Sequence, residues 1–217
     1  MKKILCALLA VAAMAAAAPL ARADESSPVM ISLLSPVQWP SAQSDVAGFG
    51  LSLVYGECNE FAGLDIGLTN GADGFRGLAL GGANIVSDRL VGLQVGLANW
   101  NSNGRTEPSR RSIGVQYGFL NCADSLLGLQ DGWLNVSTGN MSGVQWGFLN
   151  CARDVSGVQC GSLFVLGVNV ATGTVRGCQL GIVNYAGSME SGLQLGIVNV
   201  VARNGFSPVL PILNGGF

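Results

Sequence analysis

A short repeat constrains the fold of this chain more than any other feature of the sequence. Its frame is Gly-Φ-Gln-Φ-Gly-Φ-Φ-Asn, in which Φ is apolar, and it is clearest at residues 92–99, 143–150 and 192–199. The first glycines of successive copies are Gly63, Gly77, Gly92, Gly114, Gly128, Gly143, Gly157, Gly177 and Gly192, separated by 14, 15, 22, 14, 15, 14, 20 and 15 residues. A sustained period of this length is typical of a repeat protein.

The alternation within the frame predicts a β-strand in every copy. In the last copy, Leu193, Leu195, Ile197 and Asn199 are expected on one face, and Gly192, Gln194, Gly196 and Val198 on the other. Helix is disfavoured because each recurring glycine would cost about 1 kcal/mol. Residues around 28–36, 49–55 and 207–214 predict flanking strands, for about a dozen strands in an all-β fold.

Two arrangements of these strands fit the sequence. An antiparallel meander closed into a β-barrel is favoured, because strands of 10 or 11 residues match those of outer-membrane barrels and the turns have hairpin composition. The alternative is a parallel β-solenoid with one repeat per coil, in which equivalent Gln and Asn side chains would stack. The barrel would place Asp131 against lipid, which is costly.

The first 23 residues have the pattern of a secretory signal peptide. Lys2 and Lys3 precede an apolar segment at 4–20, and Ala21-Arg22-Ala23 predicts cleavage before Asp24. The expected mature chain, 24–217, is a single β-repeat domain with N-terminal strands at 24–62, repeats at 63–200 and a closing strand at 201–217.

Composition argues against several functional classes. Without histidine, the chain lacks Ser-His-Asp, Cys-His and imidazole-metal sites, and no paired carboxylates are evident. The predicted mature chain has eight arginines against thirteen carboxylates, which is a poor match for nucleic acid. We therefore expect no enzyme activity, no catalytic, cofactor-binding or metal residues, and no nucleic-acid partner.

Two groups of residues are candidates for function. The recurring glutamines would either line a polar lumen or form a ladder of paired amides; they are Gln94, Gln116, Gln130, Gln145, Gln159, Gln179 and Gln194. The long polar insertion at 100–112 is a candidate recognition loop, because it carries Arg105, Arg110 and Arg111.

Five cysteines remain after the predicted cleavage: Cys58, Cys122, Cys151, Cys160 and Cys178. Most lie in apolar strands, which favours buried thiols. In an oxidising compartment, two disulfides and one free thiol are the alternative.

The repeats resemble those of a family of exported Gram-negative proteins, the surface repeat-containing proteins. The similarity rests on the motifs at 92–96, 143–147 and 192–199, with Ser35-Pro-Val-Gln38, Pro211-Ile-Leu-Asn214 and Phe217. It implies an outer-membrane or cell-surface location and brings no established activity. We expect a structural or porin-like envelope protein, or alternatively a soluble or peripheral solenoid, periplasmic or at the surface, that acts as an adhesin or interaction module for an unidentified partner.

Overall fold

The computed structural model describes residues 26–102, 111–161 and 167–217, so the predicted signal peptide lies outside the described part. The described residues form β1 (Ser27–Leu34), β2 (Val37–Trp39), β3 (Val46–Asn101), β4 (Ser112–Ala123), β5 (Leu126–Gly147), β6 (Leu149–Gly161), β7 (Val168–Leu180), β8 (Val183–Val201) and β9 (Val209–Gly216). The prediction of an all-β chain is confirmed. No helix in the described part is long and apolar enough to cross a bilayer.

The chain divides into two compact units, Met1–Tyr117 and Gly118–Phe217. In the first unit, β1 pairs antiparallel with the short β2 and parallel with the start of β3, where Met30 lies opposite Gly50. The long β3 contains several repeats that stack on one another. The hydrophobic core of the first unit contains nine buried residues: Met30, Val46, Cys58, Phe61, Ala72, Phe75, Ala79, Val86 and Leu90.

In the second unit, each repeat is one coil, and successive coils pair parallel and in register. Gly143, Gly157, Gly177 and Gly192 lie opposite one another along β5, β6, β7 and β8. The antiparallel β9 then pairs with β8. Apolar residues that precede each first glycine pack inside the coils, among them Met141, Val155, Val175 and Met189.

The favoured antiparallel barrel is wrong. Neighbouring repeats in the second unit are parallel, which a hairpin meander does not allow, and the stacking is instead solenoid-like. The composition of the short turns predicts hairpins, but the same Gly/Asn/Ser composition also serves a turn that lets the chain complete a coil and return in the same direction.

The repeat also departs from strict alternation at its end. Leu193, Leu195 and Ile197 point outward as predicted, and Gln194 points inward. Asn199, however, is fully buried on the Gln side, whereas Val198 is 40% exposed. The expected faces of Asn199 and Val198 are therefore wrong, because two consecutive residues after Gly196 point outward where the chain turns.

The copy that starts at Gly157 contains an insertion but keeps its place in the stack. Gly157 lies opposite Gly177, and Asn169 lies opposite Asn150. The extra residues fall around 162–166, outside the described residues. The irregular 20-residue spacing thus leaves the inward-facing positions aligned.

Candidate functional site

The recurring glutamines of each unit lie in a column inside its coils, all of them fully buried. In the second unit, each side-chain amide donates to the Oε1 of the preceding coil: Gln145 to Gln130 at 2.8 Å, Gln159 to Gln145 at 2.8 Å, Gln179 to Gln159 at 2.7 Å and Gln194 to Gln179 at 2.7 Å. In the first unit, Gln116 donates to Gln94 at 3.0 Å. We call this column the glutamine ladder.

The glutamine ladder also ties together opposite sides of each coil. The Nε2 of Gln145 donates to the carbonyl oxygen of Cys151 at 3.2 Å, and Gln194 donates likewise to Val200 at 3.1 Å. One side-chain amide therefore donates hydrogen bonds both to a neighbouring coil and to the far side of its own coil. Buried amides need such partners, because an unpaired buried polar group costs about 1–3 kcal/mol.

A second column, the asparagine ladder, was not among the predicted site residues. In the second unit, Asn121, Asn135, Asn150, Asn169, Asn184 and Asn199 are joined by Nδ2–Oδ1 hydrogen bonds of 2.7–2.9 Å. Asn70, Asn84 and Asn99 are joined in the same way in the first unit. The signal was available, because asparagine ends each full copy of the frame.

The two ladders donate in opposite directions. Asn135 donates forward to Asn150 in the next coil, whereas Gln145 donates backward to Gln130 in the preceding coil. The remaining proton of Asn135 goes to the carbonyl oxygen of Trp146, also in the next coil. Each coil is thus held to both of its neighbours by side-chain amides.

The glycines of the frame provide the space that the ladders need. Gly143 has φ 127°, a conformation that side chains disfavour, and a Cβ there would overlap the carbonyl oxygen of Gly128. A Cβ on Gly147 would lie 2.6 Å from the Nδ2 of Asn135. The first glycine thus allows coil-to-coil contact, and the second makes room for the asparagine amide.

The glutamine ladder is interrupted near its start in the first unit. Asp65 and Ala79 occupy the positions that glutamine holds in later coils, and both are about 1% exposed. Burial raises the pKa of Asp65 to about 7, partly opposed by a hydrogen bond from the Ile66 backbone. The Nε2 of Gln94 has no partner among the described residues, consistent with the absence of an amide at Ala79.

Exposed apolar side chains lie on the outward surface of several coils of the second unit. We define the apolar wall as the exposed outward residues between the first glycine and the small residue that follows the asparagine: Phe119, Trp133, Trp146, Tyr185, Leu193, Leu195, Ile197 and Val198. Phe119, Trp133 and the half-buried Phe148 stack with ring centroids 5.6 and 6.1 Å apart. Large contiguous apolar surface usually marks a site of interaction.

The charged side chains of the second unit gather on one edge of the coils. We define the charged ridge as Asp124, Arg153, Asp154, Arg176, Glu190 and Arg203, which all follow the asparagine of a repeat by three or more residues and lie outside the Gly-to-Asn frame. Arg153 bonds to Asp154 at 3.1 Å, and Arg176 forms an ion pair with Glu190. The surface of this unit is therefore amphipathic around the coil.

Asp131 is the exception to this separation. It is half-buried among the outward positions of the apolar wall, and Trp133 follows it on the same strand. Burial raises the pKa of its carboxyl group above the ordinary value. A carboxylate at this position lowers the affinity of the wall for an apolar partner, because its charge would have to leave water.

The predicted recognition loop is only partly described. Arg105 and Arg110 lie outside the described residues, whereas Arg111 is exposed just before β4. The loop therefore stays a prediction.

The five described cysteines are free thiols. Cys58 is buried, and the other four are half-buried on the outward side of the second unit, so the prediction of buried thiols holds fully for Cys58 alone. Burial raises the pKa of the Cys58, Cys122, Cys151 and Cys160 thiols, which lowers their thiolate fraction and their reactivity.

Comparisons with known proteins give no match, whether against protein-family models, curated proteins or solved structures. Within the described residues, no group of three or more His, Cys, Asp or Glu side chains is placed to hold a metal ion. The candidate functional feature is therefore the surface formed by the apolar wall and the charged ridge.

Proposed function

We propose that this chain is an exported, non-enzymatic protein of the cell envelope that acts as a structural interaction module. The observation that carries the proposal is the distribution of polarity: amide side chains share the interior of the coils with hydrocarbon side chains, while many large apolar side chains face outward. Such a surface is costly to keep in water and is favourable when a partner covers it.

The sequence supports the location. A signal-peptide pattern at 1–23 indicates export, and the similarity to surface repeat-containing proteins indicates the envelope. In a Gram-negative cell, an exported protein with an apolar surface would meet a partner for that surface at the outer membrane or at the cell surface.

A scaffold is a better interpretation than a pore. The glutamines that would have lined a lumen are fully buried, and they bond to one another and to backbone carbonyls. An amide engaged in this way is not available to solutes. The chemistry of the described surface also favours binding over catalysis, because two of the three carboxylates of the charged ridge pair with arginine.

Cell fractionation tests the proposal. The full chain, expressed with its own leader in a Gram-negative host, is expected in the envelope fraction, resistant to high salt and released by mild detergent. Resistance to salt is expected because apolar contacts, unlike exposed ion pairs, are not screened. Recovery in the soluble fraction without detergent would contradict the proposal.

A further inference from the structure

We propose that the partner of the apolar wall is the acyl region of a membrane leaflet, with the second unit lying on the membrane and the charged ridge in water. This inference rests on the proposed function and names the partner of the same surface. A second copy of the chain or another protein is the competing occupant, and three features of the surface favour lipid.

The first feature is the extent of the apolar wall around the coil. In the coil that starts at Gly192, Leu193 and Leu195 are exposed before Gly196, and Ile197 and Val198 are exposed after it. Exposed apolar side chains therefore lie on both sides of Gly196, which holds the repeat position at which Gly181 forms a bend in the preceding coil. A rigid partner with one flat surface would cover the side chains on one side of this position, whereas fluid acyl chains can cover both.

The second feature is the scarcity of hydrogen-bonding groups on the apolar wall. Most of its members are hydrocarbon side chains, and the strands beneath are paired coil to coil through β5 to β8. Protein interfaces typically include about one hydrogen bond per 100–200 Å². A surface with few donors and acceptors suits lipid, which requires that the backbone be paired internally.

The third feature is the order of side chains around the coil. Arg176 and Glu190 pair on the charged ridge, Tyr185 lies between them in the sequence at the border of the apolar wall, and Leu195 and Ile197 belong to the wall. The same order of charge, amphipathic ring and hydrocarbon characterises proteins that lie in a membrane interface. The charged ridge thereby defines the side that faces water.

Asp131 gives the inference a directional test. Its carboxyl group lies among the outward apolar positions near Trp133 and Trp146, and no residue of the charged ridge shares that part of the coil. Moving the Asp131 side chain into acyl chains costs free energy while its carboxyl group is charged. The Asp131→Asn variant should therefore bind lipid more strongly than the parent chain.

The experiment is flotation of the purified mature chain with protein-free phosphatidylcholine vesicles, which offer acyl chains and no net charge. The parent chain is expected to float, with a blue shift of tryptophan emission. A triple variant, Trp133→Ser, Trp146→Ser and Ile197→Ser, should partition at least tenfold less, and Asp131→Asn at least threefold more.

The matched control is Leu127→Ser, because Leu127 is an exposed leucine that directly precedes Gly128, the repeat position held by Arg176 in the charged ridge. It should float as the parent does. Circular dichroism identifies variants that lose their strands, and the three single substitutions replace the triple variant if it does not fold.

Two results would overturn the lipid assignment. One is a parent chain that stays at the bottom of the gradient; the other is a control that loses as much binding as the wall variants. If sedimentation then shows a dimer that the wall variants abolish, the partner is a second copy and the proposed function stands. Failure of the proposed function is distinct, because it appears as absence from the envelope fraction in cells.

Discussion

At the scale of single residues, paired amides share the interior of this protein with hydrocarbon side chains. Gln145 donates to Gln130 and to the carbonyl oxygen of Cys151, and it accepts from Gln159. Each bond contributes about 1 kcal/mol net, but its loss leaves a partner buried and unpaired. A single substitution in a ladder therefore disturbs at least two coils.

We predict that Gln145→Ala lowers the free energy of unfolding by about 3 kcal/mol, through lost hydrogen bonds and the cavity that remains. The neighbouring outward substitution Val144→Ala is the control and should cost about 1 kcal/mol or less. Urea unfolding followed by circular dichroism measures both. Equal effects of the two substitutions would mean that the ladder contributes no more than the surface.

Asp65 makes stability depend on pH. Its folded pKa of about 7 is raised by burial, whereas an unfolded Asp titrates near 4. The folded state therefore keeps a proton that the unfolded state releases, so stability falls as pH rises from about 4 to 7 and stays low above that range.

We predict that Asp65→Asn raises the free energy of unfolding at pH 8, by at most about 4 kcal/mol, and changes it little at pH 4. Measurements of the same variant at the two pH values provide the internal control. An equal gain at both values would show that the carboxyl charge is not the cause.

At the scale of the coil, the glycines fix how closely one strand approaches the next. The first glycine of each repeat has a positive φ, and a Cβ on Gly143 or Gly192 would overlap the carbonyl oxygen of the first glycine one coil earlier. Alanine there meets both backbone strain and steric overlap. A small substitution at the first glycine should thus lower the stability of the protein more than a larger substitution at an outward-facing position.

We predict that Gly143→Ala destabilises the protein by at least about 2 kcal/mol, because strain and overlap add. The adjacent half-exposed position supplies the control, Ser142→Ala, which should remain within about 0.5 kcal/mol of the parent. Thermal unfolding compares them. If Gly143→Ala is neutral, coil spacing is more adjustable than the structure indicates.

Much of the coil is predictable from its sequence, because alternation is a local property. The placement of Leu193 and Leu195 on one face and of Gln194 on the other follows from it directly. The position of Asn199 does not follow, because Ile197 and Val198 both point outward and interrupt the alternation. Strand direction does not follow either, because hairpins and coils use the same turn residues, and parallel pairing is a contact between residues some 15 positions apart.

At the scale of the whole molecule, stability should approximate a sum over coils and their interfaces. Residues 143–156 make up one 14-residue coil of the second unit, and their removal would place Gly157 opposite Gly128. The ladder residues of the new neighbours then align again. Removal of half that length would misalign them.

We predict that the variant without residues 143–156 is folded and less stable, with the β-strand spectrum of the parent chain. The variant without residues 143–149 should not fold. Circular dichroism and the amide I infrared band distinguish the two products. Loss of folding in both would show that the coils are not interchangeable.

The opposed donor directions of the two ladders have an electrical consequence. In an α-helix, aligned peptide dipoles add along the axis and leave partial charges at the ends. Here, the asparagine amides point one way along the stack and the glutamine amides point the other way. The side-chain dipoles therefore largely cancel in each layer that carries both amides, so such layers can be added or removed without a build-up of polarity at either end of the stack.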